Sequence, residues 1–113
     1  MSNVEQEPQP RGFPIPDIGD IQLIDVLHAL ADPARLSVVQ RLADNEFHPC
    51  SVEEYDVNVH KSTLSYHFKT LREAGITETR VSGRTSAVRL RRDDLNARFP
   101  GLIDTVITAS ATS

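Results

Sequence analysis

Apolar residues recur at helical spacing along the first two thirds of the chain. The segment IQLIDVLHALA predicts a first helix with Asp20 as its N-cap, because four apolar residues lie three or four positions apart: Ile21, Ile24, Leu27 and Ala31. Leu23 and Leu30 widen this apolar surface. We therefore expect the helix to be buried on more than one side, with a partner subunit covering the second side.

Asp32-Pro33 marks the start of a second helix, because Asp is a favoured N-cap and Pro fits the first helical position. This helix is predicted over about residues 33–45 and ends near Asp44-Asn45. Its inward residues are predicted to be Leu36, Val39, Leu42 and Ala43. EFHPC is predicted as a loop, and VEEYD as a short third helix with Ser51 and Glu54 forming a capping box.

The stretch HKSTLSYHFKTLREAG, residues 60–75, predicts a fourth helix. Leu64, Phe68 and Leu71 form its buried stripe, Ala74 extends the stripe, and Gly75 supplies a left-handed C-terminal cap. From Ile76 the apolar period becomes two, which predicts two strands around a turn at Ser82-Gly83. In the second strand Val88 and Leu90 face one way, and Arg89 and Arg91 the other.

Asp93 and Asp94 are predicted to cap a last helical region, which Pro100-Gly101 interrupts. The predicted class is mostly α with a β-hairpin (α+β), in the order α-α-α-α-β-β-α. We expect a flexible or extended, proline-rich arm over residues 1–19, one domain over residues 20–109 and a short tail over residues 110–113.

Composition narrows the class of protein. The chain has 113 residues and one cysteine, Cys50, so an internal disulfide is excluded. No apolar run is long enough to span a bilayer, and the first residues lack a secretory signal pattern. We therefore expect a soluble protein of the cytoplasm, without a membrane partner.

The net charge of −4 conceals a strongly uneven distribution. Residues 1–59 carry three basic residues against eleven acids, whereas residues 60–92 carry eight basic residues against Glu73 and Glu78. A basic segment on an acidic chain is typical of a face that binds a polyanion. The charge distribution alone is equally consistent with a solvent-exposed strand face whose charges compensate one another.

The third and fourth helices, joined by a tight turn and followed by the hairpin, predict a winged helix-turn-helix. Its second helix reads DNA by inserting its N-terminal end into the major groove. The candidate DNA-binding residues there are short hydroxyls, lysines and one tyrosine: Lys61, Ser62, Thr63, Ser65, Tyr66 and Lys69. Arg84, at the hairpin tip, is predicted to reach a minor groove or the flanking backbone.

An ordinary amphipathic helix is the alternative for residues 60–75. A helix face that contacts only solvent usually carries both Glu and Lys. This stretch has no acidic residue from position 60 to 72, which favours DNA binding. A winged-helix module that binds another protein instead of DNA is a further alternative.

KSTLSYHFKTLREAGI resembles the recognition-helix signature of the ArsR/SmtB family of bacterial winged-helix repressors, and LHALADPARLSVVQRL resembles its second-helix signature. The hairpin RVSGRTSAVRL is similar to the family's wing. The resemblance implies a homodimeric repressor that binds double-stranded operator DNA and is released by an effector. It also implies a dimer interface of the first and last helices, for which the candidates are Ile21, Ile24, Leu27, Leu102, Ile103 and Val106.

Two features of the family's metal sensors are missing from this sequence. SVEEYDV lacks their Cys-x-Cys pair, and the last helix has no histidine, so we expect no metal site of either type and no cofactor. His48, Cys50 and His60 are weaker metal candidates, and a repressor triggered through Cys50 stays an alternative. His67 is expected either to contact phosphate or to form a structural hydrogen bond, with a preference for the second.

Catalysis is not expected. Glu53 and Glu54 are paired carboxylates without an accompanying nucleophile or metal ligands, and Ser65 and His67 point in different directions on a helix.

Overall fold

The computed structural model describes residues 11–55 and 57–111. Its α-helices are α1 (Leu23–Leu30), α2 (Pro33–Arg41), α3 (Lys61–Glu73), α4 (Arg92–Arg98) and α5 (Leu102–Ala111). Its strands are β1 (Arg11–Gly12), β2 (His48–Pro49), β3 (Thr77–Ser82) and β4 (Thr85–Leu90). The strands form one antiparallel sheet in the order β1-β3-β4-β2.

The first helix is shorter than predicted, and Asp20 does not cap it. Asp20 ends a separate 3₁₀ turn, Ile18–Asp20, and the N-cap of α1 is Gln22, which makes no side-chain capping bond. Val26, Ala29 and Leu30 face the core, whereas Leu23, Ile24 and Leu27 are exposed. The domain therefore buries one apolar face of α1 and leaves the other exposed to solvent.

The second helix begins as its sequence predicts. Asp32 Oδ1 accepts hydrogen bonds from the backbone N–H of Ala34 at 2.8 Å and of Arg35 at 3.1 Å, and Pro33 is the first helical residue. A 3₁₀ turn, Leu42–Asp44, extends the helix, and Asn45 ends it with a φ of 68°. Of the predicted inward residues, Val39 and Leu42 are fully buried, whereas Leu36 and Ala43 are only partly buried.

The segment between α2 and α3 differs most from the prediction. EFHPC is not wholly loop, because His48 and Pro49 form β2 and pair with Val88 and Ala87 of β4. The predicted third helix is one 3₁₀ turn, Val52–Glu54. Ser51 makes no side-chain capping bond, and Glu54 binds Arg41 and His48 instead of closing a capping box.

The predicted fourth helix and hairpin are confirmed in α3, β3 and β4. The stripe of Leu64, Phe68, Leu71 and Ala74 is buried. Gly75 has a φ of 89°, and the N–H groups of Gly75 and Ile76 donate to the carbonyls of Arg72 and Leu71, which is a Schellman ending. The hairpin turn lies one residue later than predicted, at residues 83–84, because Ser82 pairs with Thr85.

The two ends of the domain also differ from expectation. Asp93 and Asp94 lie in the first turn of α4, whose N-cap is Arg91 without a side-chain capping bond. Gly101, with a φ of 82°, separates α4 from α5 as predicted. Ser110 and Ala111 belong to α5 and not to a tail, and residues 112–113 of the predicted tail lie outside the described residues.

The described part of the predicted arm, residues 11–19, lies against the domain and is extended up to the 3₁₀ turn Ile18–Asp20. Its strand β1 pairs with Arg80 and Val81 of β3. The ring of Phe13 lies 4.2 Å from the Arg72 guanidinium carbon, and the Pro16 carbonyl accepts a hydrogen bond from Arg91. Residues 1–10 of the arm lie outside the described residues.

Helices that precede a small antiparallel sheet, with α3 followed directly by the β3–β4 hairpin, make this fold a winged helix-turn-helix, so the predicted fold class is confirmed. The recognition helix is α3 and the wing is β3–β4. Within residues 11–55 and 57–111, no helix has the length and apolar character that crossing a bilayer requires.

Candidate nucleic-acid interface

The two sides of α3 have opposite character. Leu64, His67, Phe68 and Leu71 face inward and are buried. The predicted DNA-binding residues on this helix are all exposed: Lys61, Ser62, Thr63, Ser65, Tyr66 and Lys69. Tyr66 is the most prominent, with 61% of its surface exposed although it is a large aromatic residue. The residues that were predicted to bind DNA therefore form a solvent-exposed surface of hydroxyl, amine and phenol groups.

The N-terminal end of α3 is open to an anion. The first intrahelical bond runs from the N–H of Leu64 to the carbonyl of His60, so the three preceding N–H groups point out of the helix. His60 is the N-cap and its side chain makes no capping bond. These N–H groups and the positive end of the helix dipole favour a phosphate at this position.

Arg84 lies at the tip of the wing. Gly83 precedes it with a φ of 62°, a conformation that the first position of a tight hairpin turn favours. Arg84 is exposed and makes no ion pair or hydrogen bond within the described part of the chain. Its guanidinium is therefore available to a partner.

Most of the other arginines in the basic segment have partners inside the protein. Arg89 pairs with Glu78 at 3.0 Å across the hairpin, Arg91 with Asp94 at 3.0 Å, and Arg92 with Asp104 at 2.9 Å. Arg91 is also buried, although the strand pattern placed it on the outer face with Arg89.

Aromatic rings contact two further arginines of this segment, Arg80 and Arg72. Arg80 lies 3.9 Å from the centroid of the Phe47 ring, which Arg89 also contacts at 4.5 Å. Arg72 lies against the ring of Phe13. Among the described residues, Lys61, Lys69 and Arg84 make no such contacts. The described basic side chains of this segment that have neither an acidic nor an aromatic partner therefore lie on the recognition helix and at the wing tip.

The pair of Glu78 and Arg89 follows from the observed hairpin register, which sets the two residues opposite each other. The turn predicted at Ser82-Gly83 would have set Glu78 opposite Ala87 and does not give this pair. The contacts of Phe47 could not be predicted either, because they depend on the strand β2, which the sequence pattern did not indicate.

Cys50 does not have the properties of a reactive thiol. It is half-buried against the core, and burial raises the pKa of its thiol to about 11, although the charge of Arg72 opposes this shift. A thiol that stays protonated is a weak nucleophile and a weak metal ligand.

The ring of His48 lies between two carboxylates. Its Nδ1 is 2.7 Å from Glu54 Oε2, and its Nε2 is 2.9 Å from both carboxylate oxygens of Asp44. Across residues 11–55 and 57–111, no three His, Cys, Asp or Glu side chains are arranged to hold a metal ion.

His67 is buried and forms a structural hydrogen bond, as preferred from the sequence. Its Nδ1 is 2.9 Å from Nη1 of Arg35, which is also buried. This partner was not predictable from local patterns, because the two residues are 32 positions apart.

The six candidate dimer residues fall into three groups by exposure. Ile24 and Leu27 are exposed, with 71% of the surface of Ile24 accessible, whereas Leu102 and Val106 are partly buried. Ile21 and Ile103 are almost completely buried within the chain, so their side chains are not available to an interface. Both residues are part of the core. Leu23, which was not among the candidates, is exposed on the same face of α1 as Ile24 and Leu27.

Comparison with known proteins points to one class of protein. A family model described as a helix-turn-helix domain matches residues 30–80. The uncharacterized HTH-type transcriptional regulator YceK of Bacillus subtilis is 40% identical over 82 residues, which are 72% of this chain and 82% of that protein. The biofilm growth-associated repressor of Agrobacterium fabrum is 40% identical over 70 residues, which are 60% of this chain and 57% of that protein.

Proposed function

Because this chain belongs to the HTH-type transcriptional regulators and is a DNA-binding regulator, we propose that it is a homodimeric repressor of the ArsR/SmtB type. In this proposal it acts in the cytoplasm on operator DNA and is released by an effector. The resemblance of α2, α3 and the wing to that family supports the subfamily, and the name of the Agrobacterium relative supports repression.

The observation that carries the proposal is the placement of the free cations. Lys61 and Lys69 lie on the exposed face of α3, and Arg84 lies at the wing tip. In a winged helix-turn-helix these are the positions that meet the major groove and the flanking backbone. We assign the hydroxyls of Ser62, Thr63 and Ser65 to phosphates or base edges, and Tyr66 to a sugar or base edge.

The exposed face of α1 supports the dimer. Leu27 lies four residues after Leu23 and three after Ile24, so the three side chains share one side of the helix and leave large apolar groups in water. A second copy that covers them would present two recognition helices to a two-fold operator. An effector that changes the geometry of this dimer would misalign the two helices and weaken binding.

The test is DNA binding by fluorescence anisotropy across a salt series, with the gene's own upstream duplex and an unrelated competitor. Each phosphate contact that is lost reduces the slope of log affinity against log salt by about one. Lys61→Gln, which occurs twice in a dimer, should therefore reduce the slope by about two.

Arg89→Gln is the matched control, because it removes the same charge from a side chain that already pairs with Glu78. It should leave the slope unchanged. Equal slopes for both variants and the wild type would contradict the assigned face. No wild-type binding at low salt would overturn the DNA proposal and favour a protein-binding module.

A further inference from the structure

One guanidinium connects three helices in the interior of the domain. Arg35, in the first turn of α2, is only 8% exposed. Its Nε donates to the carbonyl of Ala29 at 2.6 Å, in the last turn of α1, where backbone carbonyls lack intrahelical partners. Its Nη1 lies 2.9 Å from Nδ1 of His67 on α3, which is 7% exposed.

The chemistry of this contact determines which ring nitrogen of His67 carries the proton. An arginine side chain is always charged and can only donate hydrogen bonds. Nδ1 of His67 must therefore accept, which places the proton of the neutral imidazole on Nε2. An imidazolium has no acceptor, so protonation of His67 would break the bond and put two cations at contact distance.

This pair penalises other orientations of α3. If α3 rotated about its axis or slid along it, the buried guanidinium and the buried imidazole would both lose their partner. An unpaired buried polar group is costly, and an unpaired buried charge more so. The bond therefore favours the one orientation that turns Tyr66 and Lys69 outward while Phe68 and Leu71 remain in the core.

We propose that Arg35 and His67 are a positioning pair that holds the recognition helix in its DNA-binding orientation relative to α1 and α2. The proposal rests on the proposed function. It adds a physical connection between α1, which carries the exposed face assigned to the dimer, and α3, which carries the face assigned to DNA.

The test compares two substitutions at position 67. His67→Asn keeps an acceptor oxygen close to the position of Nδ1, whereas His67→Phe keeps a ring but has no acceptor. We expect His67→Phe to weaken operator binding about tenfold, the equivalent of one buried hydrogen bond to a charged group. We expect His67→Asn to bind within about threefold of the wild type.

Rescue by the conservative variant gives a readout that a loss of stability alone would not give. His67→Asn should bind the operator more tightly than His67→Phe even where the two variants unfold at the same urea concentration. Equal operator affinities for the two folded variants would contradict the positioning role.

Nitrogen NMR of the imidazole in the wild type without DNA tests the bond separately. A proton on Nε2 and an unprotonated Nδ1 at pH 7.5 support the pair, and a proton on Nδ1 overturns it even if both variants fail to fold. Wild-type affinity in folded His67→Phe overturns the positioning role alone. No binding by the wild type overturns the proposed function, and with it this role, while the NMR result still stands.

Discussion

At the scale of single residues, the end of the recognition helix depends on the absence of one side chain. A Cβ added at Gly75 would lie 2.6 Å from Cγ1 and 2.9 Å from Cδ1 of Ile21, which is fully buried. Gly75 also has a φ of 89°, where other residues are strained. Gly75 therefore lets the segment before α1 pack directly against the end of α3.

Gly75→Ala should lower the free energy of unfolding by about 3 kcal/mol, because backbone strain and overpacking add together. Gly83→Ala is the matched control: it has a φ of 62° but nothing within 4 Å of the added Cβ, so about 1 kcal/mol is expected. Urea unfolding at one protein concentration measures both. Equal losses would show that the contact with Ile21 adds nothing.

At the scale of elements, a polar cluster joins the end of α2, the strand β2 and the 3₁₀ turn that precedes the recognition helix. Arg41 and His48 both bind Oε2 of Glu54, and His48 also binds Asp44. Ionised carboxylates only accept hydrogen bonds, so both ring nitrogens of His48 donate and the ring is an imidazolium.

The cluster shifts the pKa values of its members in opposite directions. Burial by itself lowers the pKa of His48, but the hydrogen bonds to Asp44 and Glu54 outweigh burial and hold this pKa above 6.5. The hydrogen bond from His48 lowers the pKa of Glu54, and the backbone N–H of Glu46, with His48, lowers that of Asp44. Each partner favours the charged form of the other.

The stability that the imidazolium contributes is complete below about pH 6.5 and is lost as pH rises through the elevated pKa of His48. The contribution of the carboxylates is present above about pH 4.5 and is lost as pH falls. His48→Gln should therefore lower the melting temperature by a few degrees near pH 5.5 and by much less near pH 9.

His28→Gln is the control, because the ring of this exposed histidine makes no hydrogen bond with the described residues. Its melting temperature should follow the wild type at every pH. A constant difference between His48→Gln and the wild type across the pH range would contradict the charged cluster.

At the scale of the whole molecule, residues 11–55 and 57–111 leave two surfaces without a partner. One is the free cationic surface of α3 and the wing tip, and the other is the apolar face of α1 at Leu23, Ile24 and Leu27. Exposed apolar patches of this kind mark interaction sites. A homodimer would cover the second surface and present the first one twice.

Ile24→Glu should convert a dimer to a monomer in sedimentation, because the charge would be buried without a partner in the interface. Protomer stability should change little, since Ile24 is already 71% exposed. Operator affinity should fall at least roughly tenfold, because one half-site would be bound instead of two.

Ala97→Glu adds the same charge to an exposed position of α4, outside the proposed interface, and should remain dimeric. A dimer that survives Ile24→Glu would exclude the α1 face as the interface. A wild-type protein that sediments as a monomer would exclude the homodimer itself.

The sequence alone determined the features that depend on neighbouring residues. The Asp32-Pro33 start of α2, the buried stripe of α3, the end of α3 at Gly75 and the alternation of Val88, Arg89 and Leu90 in the wing are all local patterns, and the structure confirms them. The exposed residues of the candidate DNA-binding face followed from the same periodicity. Helical and strand spacing is enough to decide which side chains share a face.

Only the tertiary structure decided how distant groups are paired. The strand β2, the burial of Ile21 and Ile103, the ion pair of Arg92 with Asp104, and the bond from Arg35 to His67 each depend on residues far apart in sequence. A count of charged residues does not distinguish arginines that pair inside the protein from arginines that are free. In the folded chain, buried charges and charges on strands pair with other groups of the protein. The available charge is therefore smaller and more localised than the sequence suggests.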